Sequence, residues 1–442
     1  MSVEAQPTNT YVSSLMTRLW RAASWTLAGA VGSQVLGFIG GLLTARMLGN
    51  EGFGQLSAVR GLVLAFGLFS GAGLGLAAVR YVAEFREQNQ ARLRERIIFL
   101  QRLSWWCACG TSLLVAVLTP LMADGWLGQG SLQITLWLGC PLVLFNGLSA
   151  IQNGILGGLE KFNYIARGMG VESVGNLLGV VIGAKLAGVN GAVAGACAAG
   201  AIAWNYRNRL LQVDLAGLPK DPVASPGFDK GWLLREAMPF ILTGAITQPF
   251  EWYIRIMLVR EPDGFVQLGL FTAAYTCAQF MLFLPRQLTT PGVSLLAGMM
   301  GKNSGEQVLN LARLKLKTSC LLAAAVAIPM IGAAEWVLGW FGFSGGDEVL
   351  VMLVLAHLLG ACSLVFRSVL YAAGKVWVQC CHTLVWGVVL GLTGWFLRGF
   401  GAWGLATAYL LAFAVHIIFQ GLAAGRWLQP GQMAEKFVRD LR

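Results

Sequence analysis

Apolar residues in this chain come in long blocks, separated by short polar breaks. A helix needs about 20 apolar residues to cross a hydrocarbon core. Residues 25–45, 132–159, 265–285, 376–397 and 399–425 each run that far without one charged side chain. The whole pattern predicts twelve crossing segments, near 24–45, 55–80, 97–122, 132–158, 169–187, 190–206, 233–257, 266–292, 316–341, 348–373, 376–398 and 400–424. The fifth is interrupted by Glu172, expected at the interface, and by Lys185; the sixth is short. The predicted fold is an all-α polytopic membrane protein whose even number of crossings puts both termini on one side.

Composition agrees. The chain has 442 residues, of which 56% are hydrophobic and only 12% charged, and a mean hydropathy of +0.64. That excludes a soluble globular protein. The charge that exists is asymmetric: Lys and Arg crowd the segments on the side of the termini, while the other side holds Arg46, Lys185, Arg260 and Arg398. The positive-inside rule therefore predicts cytoplasmic termini. The formal net charge of +11 reflects these anchors and anionic lipid headgroups. Nucleic-acid binding is not expected, because the basic residues are split among short loops. The nine cysteines lie inside apolar runs without metal-ligand spacing, and His357, His382 and His416 are scattered. Neither a metal nor a cofactor is expected.

A polar stretch with Pro219, Pro222 and Pro226 falls between the sixth and seventh segments and reads as a linker. The expected division is a cytoplasmic segment (1–23), a six-helix half (24–206), a linker (207–232), a second six-helix half (233–424) and a cytoplasmic tail (425–442). The halves look duplicated. Gly52-Phe53-Gly54-Gln55-Leu56 returns as Gly264-Phe265-Val266-Gln267-Leu268, 212 positions on. Gly191-Ala192 returns as Gly401-Ala402, 210 positions on, and Lys161 as Lys375, 214 positions on. Six crossings per unit relate the halves by a pseudo-twofold axis along the membrane normal, with a cavity between them and a rocking motion that opens it to alternate sides. The stretch 45–60 and its copy near 260–268 are expected to be the tips of the halves.

Three motifs carry a family resemblance: Ala45, Arg46, Leu48, Gly49, Phe53 and Gly54 in the pattern AR-x-LG-x-x-x-FG; Arg-Tyr-Val-Ala at 80–83 after a Gly-rich helix; and GGLEKF at 157–162. With them the chain resembles the Wzx-type polysaccharide and O-antigen flippases of the multidrug/oligosaccharidyl-lipid/polysaccharide (MOP) superfamily. The resemblance is clearest over 20–200 and continues in layout to about 425. It implies a MATE-like fold in the bacterial inner membrane and transport of undecaprenyl-pyrophosphate-linked oligosaccharide to the periplasmic leaflet, coupled to an ion gradient. The implied partners are that lipid-linked substrate, membrane lipids, and polysaccharide polymerase and chain-length machinery. No enzymatic activity is implied, and the chain has no GxxxxGK[ST] phosphate loop.

Such a cargo needs cations for its pyrophosphate and polar groups for its sugars. Arginine inside an apolar segment is costly and by default a functional candidate. Arg286 and Arg367 lie deepest, and Arg286 follows Pro285, which bends the helix at the charge. Together with Arg255 they are candidates to hold a pyrophosphate bidentately; structural ion pairing is the alternative. Arg255 and Arg60 lie nearer the helix ends. Glu251, four residues before Arg255, shares its helix face and is either a coupling carboxylate or the structural partner of that arginine. An offset of 212 places Ile39 and Leu43 opposite these two residues. The first half is therefore expected to contribute mainly Arg60, Gln34, Asn146, Gln152 and Asn153, as sugar ligands or as packing amides.

The readings in competition are a cation-coupled multidrug exporter and an integral-membrane glycosyltransferase or polymerase. The first would carry internal carboxylates in its first two helices, which have none. The second would need a long extracytoplasmic loop, and the candidates near 123–131 and 258–267 are short.

Overall fold

A computed structural model describes residues 8–88, 90–217, 230–287, 289, 292, 293, 296, 299 and 305–427. The first seven residues, 218–229 of the expected linker and the tail from 428 lie outside the described residues. Eight helical stretches are long and apolar enough to cross a membrane. Three of them are two crossings each. Helical dihedrals fail at Gly49 in the first and at Ala187 and Gly188 in residues 162–216, and a 3-10 turn, Arg398–Phe400, divides residues 376–426. With Lys230–Val259 the described residues hold twelve crossing helices and no strand.

We number them α1 (8–48), α2 (50–88, interrupted by the π turn Leu68–Ala72), α3 (Gln90–Pro120, continued by the π turn Leu121–Trp126), α4 (Gln133–Gly158), α5 (162–186) and α6 (189–216). The second half is α7 (Lys230–Val259), α8 (264–287, interrupted by the 3-10 turn Phe280–Leu282), α9 (Gly305–Gly332, continued by the short helix Ala334–Trp340), α10 (Asp347–Ala372), α11 (Val376–Leu397) and α12 (Gly401–Trp427).

The halves repeat one another turn for turn. Positive φ recurs in pairs 213 or 214 positions apart: Gly49 with Asp263, Gly128 with Gly342, Glu160 with Gly374, and Gly188 with Gly401. The last two residues share their whole conformation, φ/ψ 57/−137 and 64/−142. Lys161 and Lys375 open α5 and α11 with φ/ψ of −84/54 and −90/50. Each donates its N–H over 2.9 Å to the carbonyl five residues back, on Leu156 and Leu370. The equivalent spacing is thus 214, not 212. Two residues turn a helix by about 200°, so the Gly-Phe-x-Gln-Leu strings do not occupy equivalent places. The positions matching Glu251 and Arg255 are Gly37 and Gly41.

Within the first half α1 packs on α5, α4 on α3 and α6, and α2 on α4; within the second, α12 packs on α10 and α11, α11 on α7, and α9 on α10. The α5/α6 hairpin closes through small residues: a methyl built on Gly183 falls 2.0 Å from the Gly191 oxygen, so only hydrogen fits there. The halves meet where α1 and α2 face α8 and where α2 faces α7. At the end away from the termini their tips interlock. A methyl on Gly54 would lie 1.8 Å from the Phe265 oxygen, and one on Gly269 would lie 2.5 Å from the Asn50 oxygen. Fully buried Phe341 packs below the tips, its ring 5.5 Å from Phe38 and 6.4 Å from Phe53.

Candidate functional site

The first half contains a cavity of about 430 Å³ between α1, α2, α4 and α5. Glycines 37, 40 and 41 leave its wall open, and Arg60, Asn153, Glu172, Ser173 and Asn176 supply its polar groups. A second space of about 280 Å³ shares Arg60, Glu172 and Asn176 and adds Asn146. The Asn153 side-chain oxygen is buried without a hydrogen-bond partner, so it is free to accept from a ligand hydroxyl. Gln34 does not line either space, and Gln152 sits on the other face of α4, turned toward α3 and α6. Of the first-half residues singled out from sequence, Arg60, Asn146 and Asn153 come together; Gln34 and Gln152 do not join them.

Glu172 lines the cavity. It is held there by Arg207, a fully buried side chain on α6 that donates to the Glu172 carboxylate and to Ser149 Oγ, both over 2.8 Å. Sequence reading assigned Arg207 to the linker, because the apolar run stops at 206. The signal it missed is that Leu210, Leu211, Val213 and Leu215 continue the apolar pattern of α6. Arg207→Leu is expected to strand the carboxylate among α4, α5 and α6. Breaking a buried pair costs about 3–5 kcal/mol, and the 40% exposure of Glu172 brings the expected loss nearer about 2 kcal/mol. Thermal melting in detergent checks this, with Glu172→Gln, which keeps an acceptor for Arg207, losing less.

The second half builds its site around α7. Glu251 and Arg255 pair at 3.4 Å, both side chains largely buried. The Arg255 guanidinium lies 5.7 Å from the Tyr275 ring centre, and Tyr275 stands 5.7 Å from Tyr409 and 5.3 Å from His357. Arg255 also reaches α2 at Gly61, beside Arg60, so it sits at the seam of the halves. Arg286 occupies the segment after the 3-10 break of α8, with an exposed side chain. It acts through charge on Glu251, Tyr275, His357 and Arg367. Lys315 joins this cationic group from α9: its buried ammonium donates over 2.7 Å to Oγ of Ser368, the residue after Arg367. Among the described residues Arg60, Arg286 and Arg367 have no ion-pair partner, whereas Arg255 has one. Tyr275, Tyr409 and Lys315 were not singled out from sequence; a tyrosine in an apolar run gives no sign of which face it takes.

At the interlocked tips the halves also exchange hydrogen bonds. Arg46 Nε donates to the Trp340 carbonyl at 2.6 Å. Arg260 Nε donates to the Trp126 carbonyl at 3.0 Å, and its Nη2 donates to the Gly125 carbonyl. Arg260 lies 214 positions after Arg46 and Trp340 lies 214 after Trp126, so these are one contact made twice across the pseudo-twofold axis. Each half offers an arginine and receives one on carbonyls freed where its third helix ends. Trp126 and Trp340 serve the clasp through their backbones, and the Trp126 ring packs 4.8 Å from that of Trp252.

The sequence profile described as "Polysaccharide biosynthesis protein" matches residues 19–292. The EPS I polysaccharide export inner membrane protein EpsE of Ralstonia solanacearum is 23% identical over 417 residues, covering 90% of this chain and 91% of that one. Among solved structures, the inward-facing conformation of a multidrug resistance MATE family transporter of the MOP superfamily superposes with a TM-score of 0.76 at 14% identity, covering 91% of this chain and 98% of that one. The outward-facing conformation of a MATE family transporter gives 0.66 at 14% identity, over 95% and 96%. This chain belongs to the polysaccharide biosynthesis protein family, and its fold is that of the MATE family transporters on which it superposes.

Proposed function

We propose that this transporter is a flippase that carries an undecaprenyl-pyrophosphate-linked oligosaccharide across the bacterial inner membrane by alternating access. The observation that carries the reading is a set of arginines inside apolar segments that, among the described residues, have no carboxylate partner: Arg60, which lines the first-half cavity, Arg286 and Arg367. An unpaired guanidinium in this setting is stabilised by an anion that comes and goes. Arg286 and Arg367, with Lys315 behind them, take the pyrophosphate, and Arg255 supports them from α7. The first-half cavity, with Arg60, Asn146, Asn153 and Glu172, takes sugar hydroxyls. The export role named for the Ralstonia relative supports a polysaccharide precursor as cargo. Polymerase and chain-length machinery then act on what is delivered.

The basic asymmetry of the loops supports cytoplasmic termini, which makes the interlocked tips the periplasmic gate and this conformation inward-facing. Ion coupling runs through Glu251, whose pair with Arg255 breaks on protonation and frees that arginine. Glu251→Gln is expected to leave downhill exchange intact and to remove the stimulation by a proton gradient; equal stimulation of wild type and variant would assign the residue a purely structural part. The function itself is tested by transbilayer movement of a defined lipid-linked oligosaccharide in vesicles containing the purified protein. Movement no faster than in empty vesicles overturns it.

A further inference from the structure

Outside the transport path the first half carries a third polar space, of about 270 Å³, between α3, α4 and α6. It is separated from the cavities by α4 itself, which turns Asn146 and Asn153 one way and Gln152 the other. Gln152 is 4% exposed, and its side-chain oxygen has no hydrogen-bond partner although it lines this space. Around it stand Gln101, Arg102, Asn208 and Gln212, and an indole pair, Trp105 and Trp204, with ring centres 5.5 Å apart. All lie in the stretches of α3 and α6 nearest the termini, at the depth of the loop arginines. Farther along α3 the same face becomes an exposed apolar ridge: Trp106 is 80% exposed, Leu113 67% and Val117 68%.

We infer that this groove is a resident site for a glycerophospholipid whose headgroup carries an O–H or N–H donor beside its phosphate, as ethanolamine and glycerol headgroups do. Arg102 pairs with the phosphate, the headgroup donor satisfies the Gln152 oxygen, and the acyl chains lie on the ridge from Trp106 to Val117. An acceptor buried without a partner costs free energy until a donor reaches it, and an apolar patch rimmed by polar groups is where an amphiphile belongs. A choline headgroup, with no such donor, leaves the Gln152 oxygen unsatisfied. The site is independent of the transport reading, since it faces away from the space between the halves.

The test is native mass spectrometry of the full chain titrated with phosphatidylethanolamine, phosphatidylglycerol or phosphatidylcholine of matched chains. Wild type is expected to retain one ethanolamine or glycerol lipid about tenfold more tightly than the choline lipid, as one buried hydrogen bond near 1.4 kcal/mol gives. Gln152→Leu should erase that preference, with Gln152→Met as the unbranched alternative if the first variant folds poorly. Arg102→Ala should weaken all three lipids about fivefold, by the roughly 1 kcal/mol of a surface cation on an anionic headgroup. No headgroup preference in wild type, or the same preference in the Gln152 variants, overturns the inference. So does displacement of the bound lipid by undecaprenyl phosphate at equal concentration, which would assign the groove to the transported lipid.

Discussion

Exchanging Arg46 and Arg260 together for lysine is expected to open the interlocked tips. Spin labels or cysteines at Asn50 and Asp263 should report a longer distance in a large share of molecules. The charge that anchors the loop is kept by lysine, so any change reads the hydrogen bond alone. Both contacts use Nε to a main-chain carbonyl, an atom and a planar geometry that an ammonium does not reproduce. A hydrogen bond from a charged donor contributes about 1.5–3 kcal/mol. Because both arginines are exposed the lower figure applies, about tenfold in the open-to-closed ratio for each. The pseudo-twofold relation means one rocking motion breaks both contacts, so the double variant should show the product of the two single effects. The opposite manipulation is steric: Gly54→Ala, with its methyl 1.8 Å from the Phe265 oxygen, should prevent closure while both arginines remain. Distances unchanged in the lysine double variant would mean that the aromatic packing around Phe341 alone holds the gate.

The second large effect is expected at the cationic group of the second half. Arg286→Ala and Arg367→Ala should each lower flipping of a lipid-linked oligosaccharide by about 10–100-fold, the span of a lost charge-assisted pair to phosphate, and Arg286→Lys should recover part of it. Arg255→Ala should behave differently, since it also strands Glu251: loss of folded yield should accompany loss of transport. Unchanged flipping in Arg286→Ala would remove that residue from the pyrophosphate site. A loss of the same size in Gln34→Ala, whose side chain lines neither first-half cavity, would show that the assay reports fold integrity instead.

Much of this molecule was legible in its sequence, for a physical reason: length and apolarity alone decide a membrane crossing. All twelve predicted segments correspond to helices, and the duplication was visible at Lys161 and Lys375, where the turn geometry proved identical. What misled was local identity. The repeated Gly-Phe-x-Gln-Leu string is offset by two residues from the structural repeat, enough to point every side chain to another face. Reading helix ends from hydropathy also fails where a helix leaves the hydrocarbon without stopping. That hid Arg207 and Lys315 among loop residues and left Glu172 without its partner. The reciprocal clasp was illegible for a different reason, since its acceptors are backbone carbonyls and carry no side-chain signature.

The clasp also has an electrical consequence. In the proposed inward-facing orientation the tips are the thin septum across which a membrane potential falls. A charge crossing the full potential changes energy by about 2.3 kcal/mol per 100 mV, and two fixed guanidinium groups stand at that septum. The proposed pyrophosphate-bearing cargo would pass between them on leaving through the parted tips, and a potential negative on the side of the termini would push it the same way. Such a carrier draws on voltage for the outward step of an anion, whichever ion resets it.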